Sequence, residues 1–339
     1  MRVLVIGQGL AGTLISHAAL AKGWECHVVD AGLPSASSVA AGMFNPMSFR
    51  RIVEVWEAES HLTAMTETYR SIEAVLGESL LHHLPIHKRI PNADYAKLGN
   101  QQSSKLRWIE PLEYEANREN EGIVTGGGWL NLPRLIDLWQ RHLTALGRFE
   151  KRALHVQDAV DLRTGHWDAL IDCRGAHLRN ATEVPKMDLR ANRGEILTIA
   201  LHSGQKCNLP NHHILNFGKW TLPVGHNAWR LGASYEWKRE DHTPDPETRN
   251  FLIEAMKTAT NSQEGFTIRA HDVGIRPVSK DRRPMVGKCP EQDNWYLFNG
   301  LGTRGVFIGP YWANHLIDLL QGTTQTPDIV NPNRLLISS

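Results

Sequence analysis

The residues best placed to do chemistry are glycines, with one acid to complete them. Gly7, Gly9 and Gly12 keep a Gly-x-Gly-x-x-Gly spacing directly after the apolar run Val3-Leu-Val-Ile6. Asp30 closes a second apolar run, Cys26-His-Val-Val29, at roughly the 20-residue distance at which a carboxylate meets a ribose hydroxyl. Gly7 permits a tight turn, Gly9 lets backbone approach a pyrophosphate, and Gly12 lets a helix pack close to the strand before it. The helix N-terminus that follows offers free N–H groups and a positive dipole end to phosphates. Strand, glycines, helix, second strand and terminal acid together predict a dinucleotide site. A second glycine run, Gly300-Leu-Gly302-Thr303-Arg304-Gly305, lies between the apolar stretch Trp295–Phe298 and a helical pattern from Val306 to about Leu320. It repeats the same logic and aims a second helix N-terminus at a cofactor.

These residues need a scaffold, and the pattern supplies one. Leu14, Ile15, Ala18 and Ala19 recur at helical spacing, and Gly23 stops that helix. Residues 31–46 are rich in small side chains; directly after a ribose-binding acid, such a segment must pass close to the cofactor. The spacing of Ile52, Val55, Trp56, Leu62, Met65, Tyr69, Ile72 and Leu76 predicts a long amphipathic helix from Arg50 to Leu76, ended by Gly77. Arg50 and Arg51 at its start are read as solvated. A further helix is expected over Trp129–Leu143, with Pro133 in its first turn. Strands are expected over Arg152–Val156 and Trp167–Ala176, the latter ending at Gly175 with its C-terminal end toward the cofactor crevice. From Arg193 to about Glu236 the pattern is β, with runs at Glu195–Ala200, His213–Asn216, Trp220–Pro223 and Trp229–Ser234, and Asn250–Ala259 reads as one helix.

Composition narrows the function. The chain has 339 residues, 41% of them apolar, which is enough for a sizeable core in two domains. With 37 basic and 36 acidic residues the net charge is +1, giving no global pull toward nucleic acid or membrane. Cys26, Cys173, Cys207 and Cys289 lie far apart with no CxxC pair, and the 17 histidines show no HExxH spacing, so no metal site is expected. The cysteine usage fits a reducing cytoplasm. Arg2 with the following apolar run imitates a signal peptide, but cleavage near Ala21 would destroy the nucleotide site, so a cytoplasmic protein without a membrane span is expected. Oligomeric state is not readable.

Four motifs together resemble one family. They are Gly7-x-Gly9-x-x-Gly12 with Asp30; Ser37-Ser38-x-Ala-Ala41-Gly42-Met43; Gly274-x-Arg276-Pro277-x-Ser279-x-Asp281-x-x-Pro284-x-Val286-Gly287; and Gly300-x-Gly302-x-x-Gly305-x-x-x-x-Pro310. This set is similar to the D-amino-acid oxidase and glycine oxidase family of FAD enzymes, most strongly at both ends of the chain and weakly from about 80 to 190. The segments Leu301–Gly305 and Phe44–Pro46 are also similar to the FAD domain of the bacterial enzyme that trims a carboxymethyl group from a tRNA wobble base.

The resemblance implies an α/β fold: a Rossmann-like FAD-binding domain of the glutathione-reductase type, with a second α+β substrate domain carrying a mixed sheet. The expected division gives residues 1–79, 126–190 and 270–339 to the discontinuous FAD domain, and 80–125 and 191–269 to the substrate domain. By resemblance, Gly7 to Gly12, with Leu10 and Ala11 between them, hold the pyrophosphate and Asp30 the adenosine ribose. Ser37, Ser38, Ala41, Gly42 and Met43 meet the phosphate and flavin edge, and Ala153 meets adenine through its backbone. Gly175 lies at the crevice, and Gly302, Thr303, Arg304, Gly305 and Val306 surround the flavin's pyrimidine end. Asp30 stands where the family more often has Glu, one methylene longer, so a water or a small shift is expected to compensate. Relatives with covalent flavin carry a cysteine near the Arg-Pro motif; Val278 stands after Pro277 here, so FAD is expected to be non-covalent.

The implied reaction is oxidation of the C–N bond of a small amino or imino acid by hydride transfer to flavin, with oxygen or another electron acceptor. Arg276 suits the substrate carboxylate, because a guanidinium makes two parallel hydrogen bonds to it; a structural ion pair, for instance to Asp281, is the competing reading. Trp220 is either an aromatic wall of the site or core packing. Arg304 either faces the flavin or caps a loop. A nucleic-acid substrate, carboxymethylaminomethyl-modified tRNA, is the alternative, and the near-neutral charge argues against it; Lys280, Arg282 and Arg283 are the basic residues that could form a local patch.

Overall fold

The computed structural model describes residues 1–89, 107–111, 121–155, 158, 161, 166–202, 208–225, 227–261 and 265–337. Its first layer is a six-stranded sheet in the order Phe149–Lys151, Glu25–Asp30, Arg2–Ile6, Ala169–Asp172, Trp295–Asn299, Met285–Lys288. The first five strands run parallel and the last is antiparallel. The unbroken apolar run at Val3–Ile6 is explained by cover on both faces. Val3 and Val5 pack with helices α1 (Leu10–Ala21), α2 (Ala58–Leu76) and α3 (Leu132–Ala145), whereas Leu4 and Ile6 join Leu170, Met285 and Trp295 on the opposite side.

The second layer is an eight-stranded mixed sheet. Its backbone is the antiparallel pair Leu189–Leu201 and Phe266–Ser279, paired from Leu189 opposite Ser279 to Leu201 opposite Phe266 with a register shift between Thr198 and Ile199. Strands Ala228–Gly232, Trp220–Gly225 and Ile214–Asn216 continue it, and Ile86–Arg89 joins Ile214–Asn216 in parallel. Helix α4 (Pro246–Thr260) covers one face, packing Leu252 and Met256 on Leu197, Trp229 and Leu231. The other face turns Ile196, Leu222 and Ala233 toward Ala41 and Met47.

Helix α5 (Gly305–Leu320) brings the two glycine turns together. Gly305 lies against Leu10 and Gly309 against Leu14, where a Cβ would come within 3.0 and 2.7 Å of those side chains. The N-termini of α1 and α5 are therefore neighbours at the same end of the parallel sheet. Pro310 sits inside α5 and cannot donate to the carbonyl four residues earlier, Val306. The buried Tyr69 hydroxyl donates to that carbonyl instead, at 3.0 Å.

Several expected boundaries move. The helix expected from Arg50 begins only at Ala58: Val53–Glu54 pairs with Met47–Ser48, and Ile52 and Glu57 take φ of 50° and 48°, outside the helical region. Ile52, Val55 and Trp56 match helical spacing because a tight hairpin, not a helix, turns them inward. Residues Gly128–Leu130 form a strand between Met43–Phe44 and Leu81–His83, so α3 starts at Leu132 rather than Trp129. The strand expected at Arg152–Val156 lies instead at Phe149–Lys151, beside Val28–Asp30; Val156 and Cys207 lie outside the described residues. Among the described residues no helix is long and apolar enough to cross a membrane, and Cys26, Cys173 and Cys289 are buried free thiols.

Candidate active site

Between the two layers runs a cavity of about 730 Å³, within the range of cofactor and ligand sites. Gly7, Gly9, Leu10 and Ala11 line one end of it. Gly12 does not; it lies beneath the turn, where a Cβ would stand 1.8 Å from the Gly7 carbonyl oxygen. Gly9 gives α1 no side-chain cap of its own. Ser37, carried in from the small-residue segment, accepts from the Leu10 N–H at 3.0 Å. Asp30 lines the cavity with both carboxylate oxygens engaged, by the Gln8 N–H and the Gly32 N–H at 2.6 Å each. Each oxygen keeps acceptor capacity toward the cavity.

The rest of the predicted cofactor set converges from separate elements. Ala41, Gly42 and Met43 line the middle of the cavity. Gly42 has φ +72° and faces the Leu130 carbonyl so closely that a Cβ would stand 1.9 Å away, which only glycine tolerates. Ser38 is not among the lining residues; its hydroxyl donates to the Ser35 carbonyl at 2.8 Å and closes the short turn Ala36–Ser38. Arg230 donates to the carbonyls of Ala40 at 2.8 Å and Val39 at 2.5 Å, tying this segment to the mixed sheet. Ala153 and Gly175 line the far side, the Ala153 carbonyl accepting from Arg152 and the Gly175 carbonyl from Asn299. Gly302, Thr303, Arg304, Gly305 and Val306 form the wall where α5 begins, with no side-chain cap on that helix either.

The mixed sheet supplies the remaining wall, with Trp220, Asn216, Tyr235 and Arg276. Trp220 is half-buried over Gly232, where a Cβ would come within 2.8 Å of its ring, so it both packs and faces the cavity. Asn216 is buried, and its side-chain Oδ1 finds no partner among the described residues. Nothing in the spacing of a lone Asn within a strand marked it, nor Tyr235, as part of the site.

Charge distinguishes this end. The lining acids are spoken for: Asp30 by backbone N–H groups, Glu183 by Arg174, and Glu240 by Arg179. Lining Arg152 and Arg174 are paired with Asp158 and Asp172. Arg276 and Arg304 are different. Arg276 donates to Asn192 Oδ1 at 2.9 Å and the Ser234 carbonyl at 3.4 Å, and lies 4.8 Å from the Tyr235 ring centre. Arg304 donates to the Met47 carbonyl at 3.2 Å. Burial pulls both guanidinium pKa values below their ordinary level, with the Tyr235 phenol the opposing influence on each. Both stay protonated at neutral pH. Asp281, the candidate partner for Arg276, instead binds Arg334 at 2.7 Å.

Two helix N-termini whose N-cap residues supply no side-chain cap, with only the Leu10 N–H of α1 met by Ser37, join a glycine floor, an acid at the ribose position and two unneutralised cations; the set suits an anionic dinucleotide with room for an anionic substrate. FAD fits the donor set: α1 and the Ser37 turn would face its phosphates, and α5 its ring.

The profile of the family described as DAO, FAD dependent oxidoreductase, matches residues 2–319. A glycine oxidase of Pseudomonas aeruginosa is 25% identical over 359 aligned residues, covering 95% of each chain. The tRNA 5-methylaminomethyl-2-thiouridine biosynthesis bifunctional protein of Legionella pneumophila is 24% identical over 322 residues, covering 85% of this chain. This chain spans only 45% of the length of that relative. Among solved structures, the iminodiacetate oxidase of Chelativorans sp. BNC1 has the same fold, with a TM-score of 0.77 at 17% identity and coverage of 98% and 99%. The chain belongs to the DAO family of FAD-dependent oxidoreductases.

Proposed function

We propose that this protein oxidises the C–N bond of a small amino or imino acid of the glycine, D-amino acid or N-alkyl glycine type. The observation that carries the reading is Arg276: a partly buried guanidinium facing the cavity, held by neutral acceptors and answered by no carboxylate among the described residues. Bound FAD would supply the two-electron acceptor, and oxygen or another acceptor would reoxidise it. Arg276 binds the substrate carboxylate through its planar fork and fixes the orientation of the α-carbon. Trp220 walls the substrate and excludes water. Arg304, the N-cap residue of α5, adds positive potential beside that helix N-terminus, where negative charge would develop. Each lining acid among the described residues is engaged, and hydride transfer needs no protein base when the amine binds in its neutral form. We assign residues 1–79, 126–190 and 270–339 to the FAD domain and 80–125 and 191–269 to the substrate domain, with strand Phe266–Ser279, which carries Arg276, running across that boundary as part of the mixed sheet. FAD is held without a covalent bond, since buried Val278 stands beside the Arg-Pro motif and burial pushes the lining Cys173 thiol far up in pKa.

A second reading has its own support. Glycine and the carboxymethylaminomethyl group of a tRNA wobble uridine share one unit, an amine one carbon from a carboxylate, and a relative named for tRNA modification aligns with most of this chain. Beside the cavity, Tyr235, Trp237 and Phe251 are each about half exposed, and Lys219 lies over two of those rings. Exposed aromatic and basic groups of this kind can stack nucleobases. Flavin bleaching without oxygen separates the readings. Small carboxylate-bearing amines should bleach the flavin, and tRNA should bind weakly and leave the spectrum unchanged. Reduction by modified tRNA alone, with steep salt sensitivity, would replace the first reading with the second.

A further inference from the structure

We propose that Asn192 and Gly194 set the position and preserve the charge of the Arg276 guanidinium, Asn192 by tethering it and Gly194 by leaving the space in which it lies, which makes both of them positioning residues for substrate capture. The inference rests on Arg276 being the carboxylate clamp.

Asn192 pairs in register with Arg276, and Gly194 with Gly274, across the two long strands. Residues two apart on a strand share a face, so both lie beneath the arginine. Asn192 is 1% exposed. Its Nδ2 donates to the Glu236 carbonyl at 3.4 Å, which turns its Oδ1 toward Arg276 Nη1 at 2.9 Å. The Ser234 carbonyl takes a second bond from the same nitrogen, at 3.4 Å. Among the described residues, the bonds from the guanidinium therefore leave from Nη1, and Nη2 and Nε remain for a ligand. The Tyr235 ring lies 4.8 Å away. Amide, carbonyl and uncharged phenol fix the group without cancelling its charge.

Gly194 completes the seat. A Cβ there would stand 2.1 Å from Nη2, 2.2 Å from Nη1 and 2.4 Å from Cζ of Arg276. Near-equal distances to the two terminal nitrogens, with the central carbon farther off, put the Gly194 backbone itself against the Nη1–Nη2 edge of the fork. Gly194 also lines the cavity. Lack of a side chain there leaves room for the guanidinium itself, and a carboxylate that takes two parallel hydrogen bonds uses Nη2 and Nε. Nothing about an isolated Gly in a strand requires this locally. The requirement comes from an arginine 82 positions away in the sequence numbering.

Two substitutions separate charge from space. Asn192→Asp keeps the shape and the hydrogen-bond acceptor but puts a carboxylate 2.9 Å from Nη1, so the fork is neutralised from within. Gly194→Ala keeps the charge but puts a methyl where the guanidinium lies and pushes the fork off its seat; the atoms it meets are the flexible end of a side chain, so the fold survives. The probe is acetate, with acetamide as the neutral control, titrated calorimetrically into the FAD-loaded protein beside steady-state kinetics on a reactive amino acid. We expect both variants to weaken acetate binding and raise KM by about tenfold or more. FAD content should be retained, and kcat at saturation should change far less than KM. Asn192→Leu, which loosens the fork without neutralising it, should weaken acetate binding less than Asn192→Asp. Acetate affinity in Asn192→Asp and Gly194→Ala equal to the unmodified protein overturns the inference, and if Asn192→Asp does not fold, Gly194→Ala alone decides it. Arg276→Ala distinguishes the levels. If it too binds acetate normally, the clamp itself is wrong; if it loses acetate while the other variants keep it, only the seat is wrong.

Discussion

Truncating Arg276 to alanine removes a cavity cation that, alone among the described residues, is aimed from the mixed sheet and held only by neutral partners. In the absence of the guanidinium, a substrate carboxylate enters a cavity whose other arginines are engaged by Asp158, Asp172 and the Met47 carbonyl. Loss of one partner from a buried, hydrogen-bonded charge pair costs on the order of 2–5 kcal/mol. At ~1.4 kcal/mol per factor of ten, kcat/KM for a carboxylate-bearing amine should fall roughly 30- to 3,000-fold. Arg276→Lys should recover only part of the loss, since an ammonium keeps the charge but not the planar fork. FAD should stay bound in both variants, because the contacts of Arg276 to Asn192, Ser234 and Tyr235 all lie outside the glycine turns. The assay is steady-state turnover with the flavin spectrum recorded on the same samples. Unchanged turnover, or an emptied flavin site, refutes the reasoning.

The remaining predictions concern the scaffold. Gly12→Ala should abolish FAD retention and lower Tm, because its Cβ would meet the Gly7 carbonyl oxygen at 1.8 Å and backbone cannot swing aside; a yellow protein of normal Tm would contradict the turn geometry. Tyr69→Phe should destabilise the protein by about 1–3 kcal/mol in urea titration, since it leaves the Val306 carbonyl, already deprived of a donor by Pro310, buried without a bond. Burial lowers the pKa of His17 and of His61 from 6.5 to about 4. In the window between those values the unfolded chain binds protons that the folded one refuses, so stability falls as pH drops from 6.5 toward 4 and levels off below, with a slope on the order of 1 kcal/mol per pH unit for each histidine. His61→Phe should make the fall of Tm with pH shallower, and an unchanged slope would show that His61 titrates normally.

What the sequence revealed and what it hid divide along physical lines. Gly7, Gly9, Gly12 and Asp30 were legible because their tasks are local: a turn, a close approach and a strand end within one βαβ unit. The start of α5 was legible for the same reason. The Arg276-Pro277 motif pointed to a clamp, but not to the Asn192 and Gly194 seat, which exists only once two long strands pair. Tyr69 and Pro310 are linked by a hydrogen bond across 237 positions that no local pattern encodes. Ser37 and Ser38 were indistinguishable as adjacent small residues, and the short turn sends only Ser37 into the cavity. The helix expected from Arg50 failed because buried residues in the Met47–Glu54 hairpin mimic helical periodicity.

The central claim is that the protein captures an amine through its carboxylate and oxidises the adjacent C–N bond. A matched pair tests it most directly: sarcosine, and dimethylamine as the same secondary amine without the carboxylate, each mixed without oxygen with the FAD-loaded protein while flavin absorbance is followed. If sarcosine is too large or too small for the pocket, glycine and methylamine form the equivalent pair. The account predicts that the carboxylate member bleaches the flavin at least about 30-fold more efficiently, the lower bound of a buried charge pair. Equal bleaching by both members, or bleaching by the bare amine alone, would contradict it.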